Sequence, residues 1–162
     1  MFSAELDGLD ETAARLDAYP AALRAALAAE AAELASALAD VISNDKLAGG
    51  VLNARSGALR ASIAADASAD ADGVRATVGS NGDVKYAAIQ EYGGKTAAHE
   101  SLPVKAQALA FNVGGARRFA RRVEHPGSLI PERSYLRSSL DEMSGAIVAA
   151  LAETAAETLE RA

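Results

Sequence analysis

The sequence predicts an α+β protein, with an antiparallel sheet of about four strands (two hairpins) packed against a long N-terminal helix and a C-terminal helix. Three observations support this class. Large apolar residues recur at helical spacing near both ends of the chain, they alternate in the middle, and glycine pairs separate the segments. The 162 residues suffice for a single domain, 1–162, with its own core.

The first predicted element is a helix over 13–48, because leucine and other large apolar residues recur there at helical intervals. Pro20 either kinks this helix or opens its main part, and we favour a main part from about Pro20 to Leu47 after a shorter helical piece. Gly49 and Gly50 end the helix. At about 1.5 Å per residue the main part is about 40 Å long, which is more than a small globule requires.

A first hairpin is predicted at 59–79, where small and apolar residues alternate with polar ones on two strands. If the strands are joined by a loop at 69–72, Ile63 faces Val78 and Ala65 faces Ala76. The apolar residues of both strands then lie on one side, so this register is self-consistent.

A second hairpin is predicted at 107–124. A two-residue Gly-Gly turn would place Phe111 and Phe119 on opposite faces, whereas a three-residue loop pairs them and pairs Val113 with Arg117. We therefore predict the three-residue loop. The predicted sheet core consists of Leu59, Ile63, Val78, Phe111 and Phe119.

A short helix is predicted at 85–92, followed by a loop without periodicity at 93–104, which we expect to be exposed. Two tyrosines and an isoleucine share one face of the helix, and two glycines end it with positive φ angles. We interpret these residues as the structural joint between the two halves of the chain. They are Tyr86, Ile89, Tyr92, Gly93 and Gly94.

The last predicted element is a helix over 133–161, with an apolar stripe that runs from Leu136 to Leu159. Ser134 is a candidate for its N-cap. No internal repeat interrupts the order of helix, hairpin, short helix, loop, hairpin and helix. This order is typical of the α+β class.

Composition and charge narrow the class of function. The chain has no cysteine, which excludes disulfides and thiolate chemistry. We expect neither a secretory signal nor a membrane span, because no apolar run approaches about 20 residues. The net charge is −6, with −6 in 1–50, +3 in 81–134 and −3 in 135–162. Overall acidity argues against a dedicated nucleic-acid binder, and the uneven distribution suits head-to-tail contact between identical copies.

Motifs that carry chemistry are incomplete in this sequence. Gly93-Gly94-Lys95-Thr96 resembles the end of a phosphate-binding P-loop, but Ile89 stands where that motif needs its first glycine. The segment 70–73 resembles part of a calcium loop that would end at Gly79, where a carboxylate is required. His99 and His125 lack the spacing of metal ligands, and we interpret both as exposed polar residues. We therefore predict no enzyme, no catalytic residue, no cofactor and no metal site.

Four arginines at 117–122 are the strongest charge feature. On a strand they would point to both faces, which indicates that neither face is buried. One interpretation is a solvated edge strand, where charge deters edge pairing. The other is a projecting arm that meets the acidic helices of a second copy or a DNA backbone. The candidate interface residues are Arg117, Arg118, Arg121, Arg122, Lys95 and His99.

Four segments follow one another along the chain. They read Ser-Gly-Ala-Leu-Arg-Ala-Ser-Ile at 56–63, Val-Gly-Ser at 78–80, Tyr-Ala-Ala-Ile-Gln-Glu-Tyr-Gly-Gly at 86–94 and Ile-Pro-Glu-Arg-Ser-Tyr-Leu at 130–136. In this order they resemble the tail-completion, or virion-morphogenesis (neck), proteins of tailed bacteriophages. The resemblance covers about 52–140. It departs at Ser134-Tyr135-Leu136, where that family usually has Pro-Phe-Leu.

The resemblance implies a structural virion protein that is assembled in the host cytoplasm and acts at the head–tail neck. Such proteins commonly form a homo-oligomeric ring of about six copies around the DNA channel. The implied partners are other copies, other neck and tail-tube proteins, and DNA passing through the channel, with no membrane. A close alternative is a tail terminator that caps the tail tube. An alternative of another class is a small DNA-binding protein that uses Arg117–Arg122.

Overall fold

The computed structural model describes residues 9–53, 55–70, 72–104 and 106–161. The predicted α+β class is confirmed, with a long helix near each end of the chain and short antiparallel strand pairs between them. The chain forms two compact units. We call Met1–Ala87 with Ser134–Ala162 the helical unit, and Ala88–Arg133 the small unit.

The first helix, α1, spans Leu9–Asn44 and continues through Pro20 without a break. The prediction that the main helix begins at Pro20 after a separate piece is therefore wrong. A 3₁₀ helix, Lys46–Ala48, follows α1, and Gly49 comes next with a φ of 133°. At Gly50 an added Cβ would lie 2.8 Å from the carbonyl oxygen of Asp45, so the chain needs glycine to pass this close.

A one-turn helix, α2 (Ala58–Ala61), precedes the first hairpin. Leu59 lies in α2 and not in a strand as predicted, because Gly57 turns the chain with a φ of 75° and Ser62 closes the turn. The Ser62 hydroxyl donates to the Leu59 carbonyl oxygen and lies 2.9 Å from the Ser80 hydroxyl. Leu59 is nevertheless buried in the core, as predicted.

Strands β1 (Ile63–Ala69) and β2 (Val74–Ser80) form the first hairpin. Ile63 pairs with Ser80 and Ala65 with Val78, so the predicted register is wrong by two residues. A shift of two preserves the alternation of faces. Ile63 and Val78 therefore still share a side, and both pack against the core. The Asp70 carboxylate accepts the N–H groups of residues 72 and 73 at the tip.

The core of the helical unit forms where α1, the segment after it and the start of the last helix meet. The last helix, α4, spans Arg137–Arg161. The Ser134 hydroxyl, just before the helix, accepts the backbone N–H of Ser138, which lies in the first turn. Tyr135 is fully buried, and its hydroxyl donates to the Ala87 carbonyl oxygen at 3.3 Å. The buried apolar residues of this core are Leu38, Ile42, Leu47, Leu59, Ala87 and Tyr135.

Three strand pairs are nested inside one another in the small unit. In chain order they follow α3 (Ala87–Tyr92), and β3 pairs with β8, β4 with β7 and β5 with β6, all antiparallel. We call this two-stranded structure, 94–130, the ribbon. Its strands are β3 (Gly94–Lys95), β4 (His99–Ser101), β5 (Leu109–Val113), β6 (Ala116–Ala120), β7 (Val123–His125) and β8 (Leu129–Ile130).

The ribbon corrects two predictions. The segment 93–104 is not simply a loop, because β3 and β4 lie within it and pair with chain that follows the second hairpin. The described residues also contain eight strands in four separate pairs, and not one sheet of about four strands. The two predicted hairpins thus belong to separate sheets.

The turn between β5 and β6 is the two-residue Gly-Gly turn, so the predicted three-residue loop is wrong. Gly114 and Gly115 both have positive φ, 58° and 79°, as the tightest hairpin turns require. Phe111 pairs with Arg118, and Phe119 pairs with Ala110. The prediction assumed that one face of the hairpin is buried, whereas both phenylalanines are exposed and neither belongs to a sheet core.

Candidate interaction surface

The two units carry opposite net charges. The small unit has seven basic and four acidic residues, a net charge of +3. The helical unit has nine basic and eighteen acidic residues, a net charge of −9. The basic and acidic residues of the chain are therefore unevenly divided between the two units.

The side chain of Arg122 forms ion pairs within the ribbon. Its Nε lies 2.7 Å from Oε1 of Glu100, and its guanidinium also donates to the Glu124 carboxylate. Glu100 and Glu124 are directly paired across β4 and β7, where two carboxylates would repel each other. Arg122 therefore has a structural role, and it is not the free interface residue that the sequence suggested.

The other three arginines of the group, Arg117, Arg118 and Arg121, are exposed. None of the three forms an ion pair in the part of the chain that the structure describes. The guanidinium carbon of Arg117 lies 5.6 Å from the centre of the Phe119 ring, which is within the range of a cation–π contact. These arginines are available to an acidic partner.

The tip hairpin, 109–120, has two different faces. Directly paired residues of an antiparallel pair share a face, so Phe111 and Arg118 lie on one side. Arg117 and Phe119 lie on the other. All described residues from Ala110 to Phe119 are exposed. An isolated two-stranded hairpin has marginal stability in water, and exposed aromatic residues on it mark the hairpin as a candidate interaction surface.

The base of the ribbon holds the other two candidate interface residues. His99 pairs directly with His125, and their rings stack with centroids 4.5 Å apart and planes 17° from parallel. Lys95 pairs with Leu129 in the β3–β8 pair and is exposed. The predicted loop residues are therefore fixed by strand pairing, with His99 on the face opposite to Glu100.

The predicted joint combines exposed tyrosines with tightly packed glycines. Tyr86 and Tyr92 are exposed, so neither is a core residue. At Gly93, with a φ of 69°, an added Cβ would lie 2.7 Å from the backbone nitrogen of Glu132. The N–H of Arg133 donates to the Gln90 carbonyl oxygen at 3.0 Å. Two of the four resembling segments, 86–94 and 130–136, therefore meet here.

Ile89 and Gly94 complete this contact. An added Cβ on Gly94 would lie 3.4 Å from Cγ1 of Ile89, so the helix α3 and the first residue of β3 are in van der Waals contact. Gly94 also pairs with Ile130 in the β3–β8 pair. These contacts connect the end of α3 to both strands at the base of the ribbon.

Tyr135 and Glu91 are among the buried residues that sequence reasoning missed. Tyr135 is the largest fully buried side chain of the described residues, whereas the prediction gave structural weight to Tyr86 and Tyr92. Glu91, next to Tyr92, is also almost completely buried. The signals for Tyr135 were its place in the fourth resembling segment and its position directly before Leu136, where the predicted apolar stripe of the last helix begins.

The described residues contain no group of three or more histidine, cysteine, aspartate or glutamate side chains placed to hold a metal ion. No helix among them is both long and apolar enough to cross a membrane. Comparisons of the chain with family models, curated proteins and solved structures found no match.

Proposed function

We propose that this chain is a structural virion protein of a tailed phage, which forms a ring of about six copies at the head–tail neck and completes the tail for joining to the head. The observation that carries the proposal is the exposed basic tip hairpin on a chain whose helical unit has a net charge of −9. When identical copies contact one another through two different surfaces, they form a closed ring if the rotation from each copy to the next adds up to a full turn.

The positions of the resembling segments support a structural role. Leu59, from the first segment, and Tyr135, from the fourth, are buried in the same core. Gly93, from the third segment, lies against the backbone of the fourth at Glu132. These residues serve core packing and chain turns. Proteins that share an assembly role and no catalytic reaction would have such structural residues in common.

Phage particles made without this chain test the proposal. We expect heads with packaged DNA and tails of normal length that fail to join, as seen by electron microscopy. Over-long tails would identify the chain as a tail terminator that caps the tube. Joined and infectious particles would contradict both ring proposals. Restoring the chain with an added label should place the label at the neck.

DNA binding is the second candidate, and the exposed, unpaired guanidinium groups of Arg117, Arg118 and Arg121 favour it. A titration of the purified chain on duplex DNA at several salt concentrations tests it. Micromolar affinity that falls steeply with salt would support this function, because phosphate contacts release counterions. Absence of binding near physiological salt would reject it.

A further inference from the structure

The first face of the tip hairpin is apolar apart from one cation. Phe111 is 38% exposed and Val113 is 58% exposed, and Arg118 lies directly opposite Phe111. Cβ atoms of such a pair are about 5 Å apart, and the next residue on the same face is about 7 Å along the strand. This face consists of Leu109, Phe111, Val113, Ala116, Arg118 and Ala120.

Helix α4 has an exposed surface of complementary character in its N-terminal half. Leu140 and Val148 are exposed, at 49% and 67%. Asp141 is exposed between them in sequence, and its carboxylate forms no ion pair or hydrogen bond in the described structure. Seven residues make almost two turns, so Asp141 and Val148 lie on the same side of α4, about 10 Å apart.

The two surfaces are complementary in charge. On the hairpin, Arg118 lies among apolar residues. On the helix, the Asp141 carboxylate is exposed together with the side chains of Leu140 and Val148. The opposite net charges of the two units favour the same pairing over long range.

We propose that the tip hairpin of one copy docks on α4 of a neighbouring copy, with Arg118 on Asp141 and with Phe111 and Val113 on Leu140 and Val148. The partner of each surface is a second copy of this chain. Every copy carries both the hairpin surface and the α4 surface, and the two surfaces differ from each other. Such a contact repeats head to tail. The inference rests on the proposed ring and specifies the contact that would build it.

The chain offers a matched control for each partner. Arg117 is on the same hairpin but on its opposite face, with Phe119. Glu153 is exposed on the same helix but about 120° around its axis from Asp141. Reversing either control charge alters the net charge of the chain by the same amount as reversing its test residue, and leaves the proposed contact intact.

Sedimentation velocity of the purified full chain, over a range of concentrations, tests the contact. We expect the unaltered chain to associate, and Arg118→Glu or Asp141→Arg each to lower the association constant roughly tenfold or more, because each places like charges together. The double variant should recover most of the loss. Arg117→Glu and Glu153→Arg should associate like the unaltered chain. Circular dichroism should confirm that all variants remain folded.

Three results would overturn the inference. The first is a chain that stays monomeric at the highest concentration, and the second is association that Arg118→Glu leaves unchanged. The third is an equal loss for Arg117→Glu, which would indicate general electrostatic attraction. The neck proposal has a separate readout in the particles made without the chain. Particles made without the chain could show unjoined heads and tails while Arg118→Glu leaves association unchanged. That combination would retain the neck function and reject this contact.

Discussion

The helical unit and the ribbon are stabilised in different ways. In the helical unit, Ile42 and Tyr135 are completely buried among residues of distant segments. In the ribbon every described residue is at least partly exposed, including Phe111 and Phe119. One part is held by apolar burial and the other by strand hydrogen bonds and turns. The difference indicates that the helical unit is stable by its own packing, whereas the ribbon has more to gain from a partner.

The largest effect should come from the core. We expect Tyr135→Ala to lower the free energy of unfolding by about 3–5 kcal/mol, because it leaves a cavity and removes the hydrogen bond to Ala87. The control is Phe119→Ala on the ribbon, where the ring is 66% exposed. We expect this substitution to alter the free energy of unfolding by less than about 0.5 kcal/mol. Urea denaturation measures both values. Equal losses would show that the two parts share one kind of stabilisation.

A glycine at the base of the ribbon should have the next largest effect. Gly127 has a φ of 84°, and a Cβ there would overlap the Thr96 carbonyl oxygen, so Gly127→Ala should cost about 1–3 kcal/mol. The N–H of Thr96 donates to the Ser128 carbonyl oxygen at 2.9 Å, and hydrogen exchange at this amide reports the opening.

Gly115→Ala is the matched control for this glycine. Its φ is 79°, but nothing lies within 4 Å of the added Cβ, so only the backbone strain of about 1 kcal/mol applies. We expect exchange at Thr96 to stay unchanged in this variant. Faster exchange there in both variants would mean that the ribbon opens as one piece and not from its base.

An ion pair in the helical unit should have a smaller effect. Nζ of Lys46 lies 2.7 Å from the Glu142 carboxylate, and the Lys46 side chain is only 12% exposed, so Glu142→Gln should cost about 1 kcal/mol. Glu157→Gln, which removes an exposed pair with Arg161, should cost less than about 0.5 kcal/mol. Thermal unfolding of both variants gives the comparison. A larger loss for Glu157→Gln would contradict the role assigned to burial.

The smallest effect should come from Arg122. Its contacts with Glu100 and Glu124 are exposed, so Arg122→Ala should cost less than about 1 kcal/mol, with the loss confined to the β4–β7 pair and reduced by salt. Exchange of the β4 and β7 amides measures it. Arg118→Ala is the control and should leave these amides unchanged. If Arg118→Ala speeds the exchange of the β4 and β7 amides as much as Arg122→Ala does, the two arginines do not differ in role.

The existence and approximate extent of the two long helices could be read from the sequence because helical periodicity is a local property. The predicted 13–48 and 133–161 overlap most of α1 and α4. The existence of the first hairpin and the shared side of Ile63 and Val78 also followed from alternation alone. The predicted interface residues stay a prediction: Arg117, Arg118 and Arg121 are exposed, and Arg122 pairs with Glu100.

Two kinds of error remain, one in contacts between distant segments and one in the register of the tip hairpin. Strands of two or three residues, such as β3 and β4, have no periodicity to recognise, and they form only because chain far along the sequence pairs with them. The pairing of Phe111 was misjudged because alternation specifies a register only when one face is buried.

By itself, the sequence determined the two long helices, the presence of a turn at Gly114 and Gly115 and the uneven charge, because each depends on neighbouring residues or on composition. The tertiary structure alone decided that Tyr135 is buried and that Arg122 pairs with Glu100. Those outcomes depend on which distant segments meet, and the free energy of such contacts is not encoded in any single stretch of the chain.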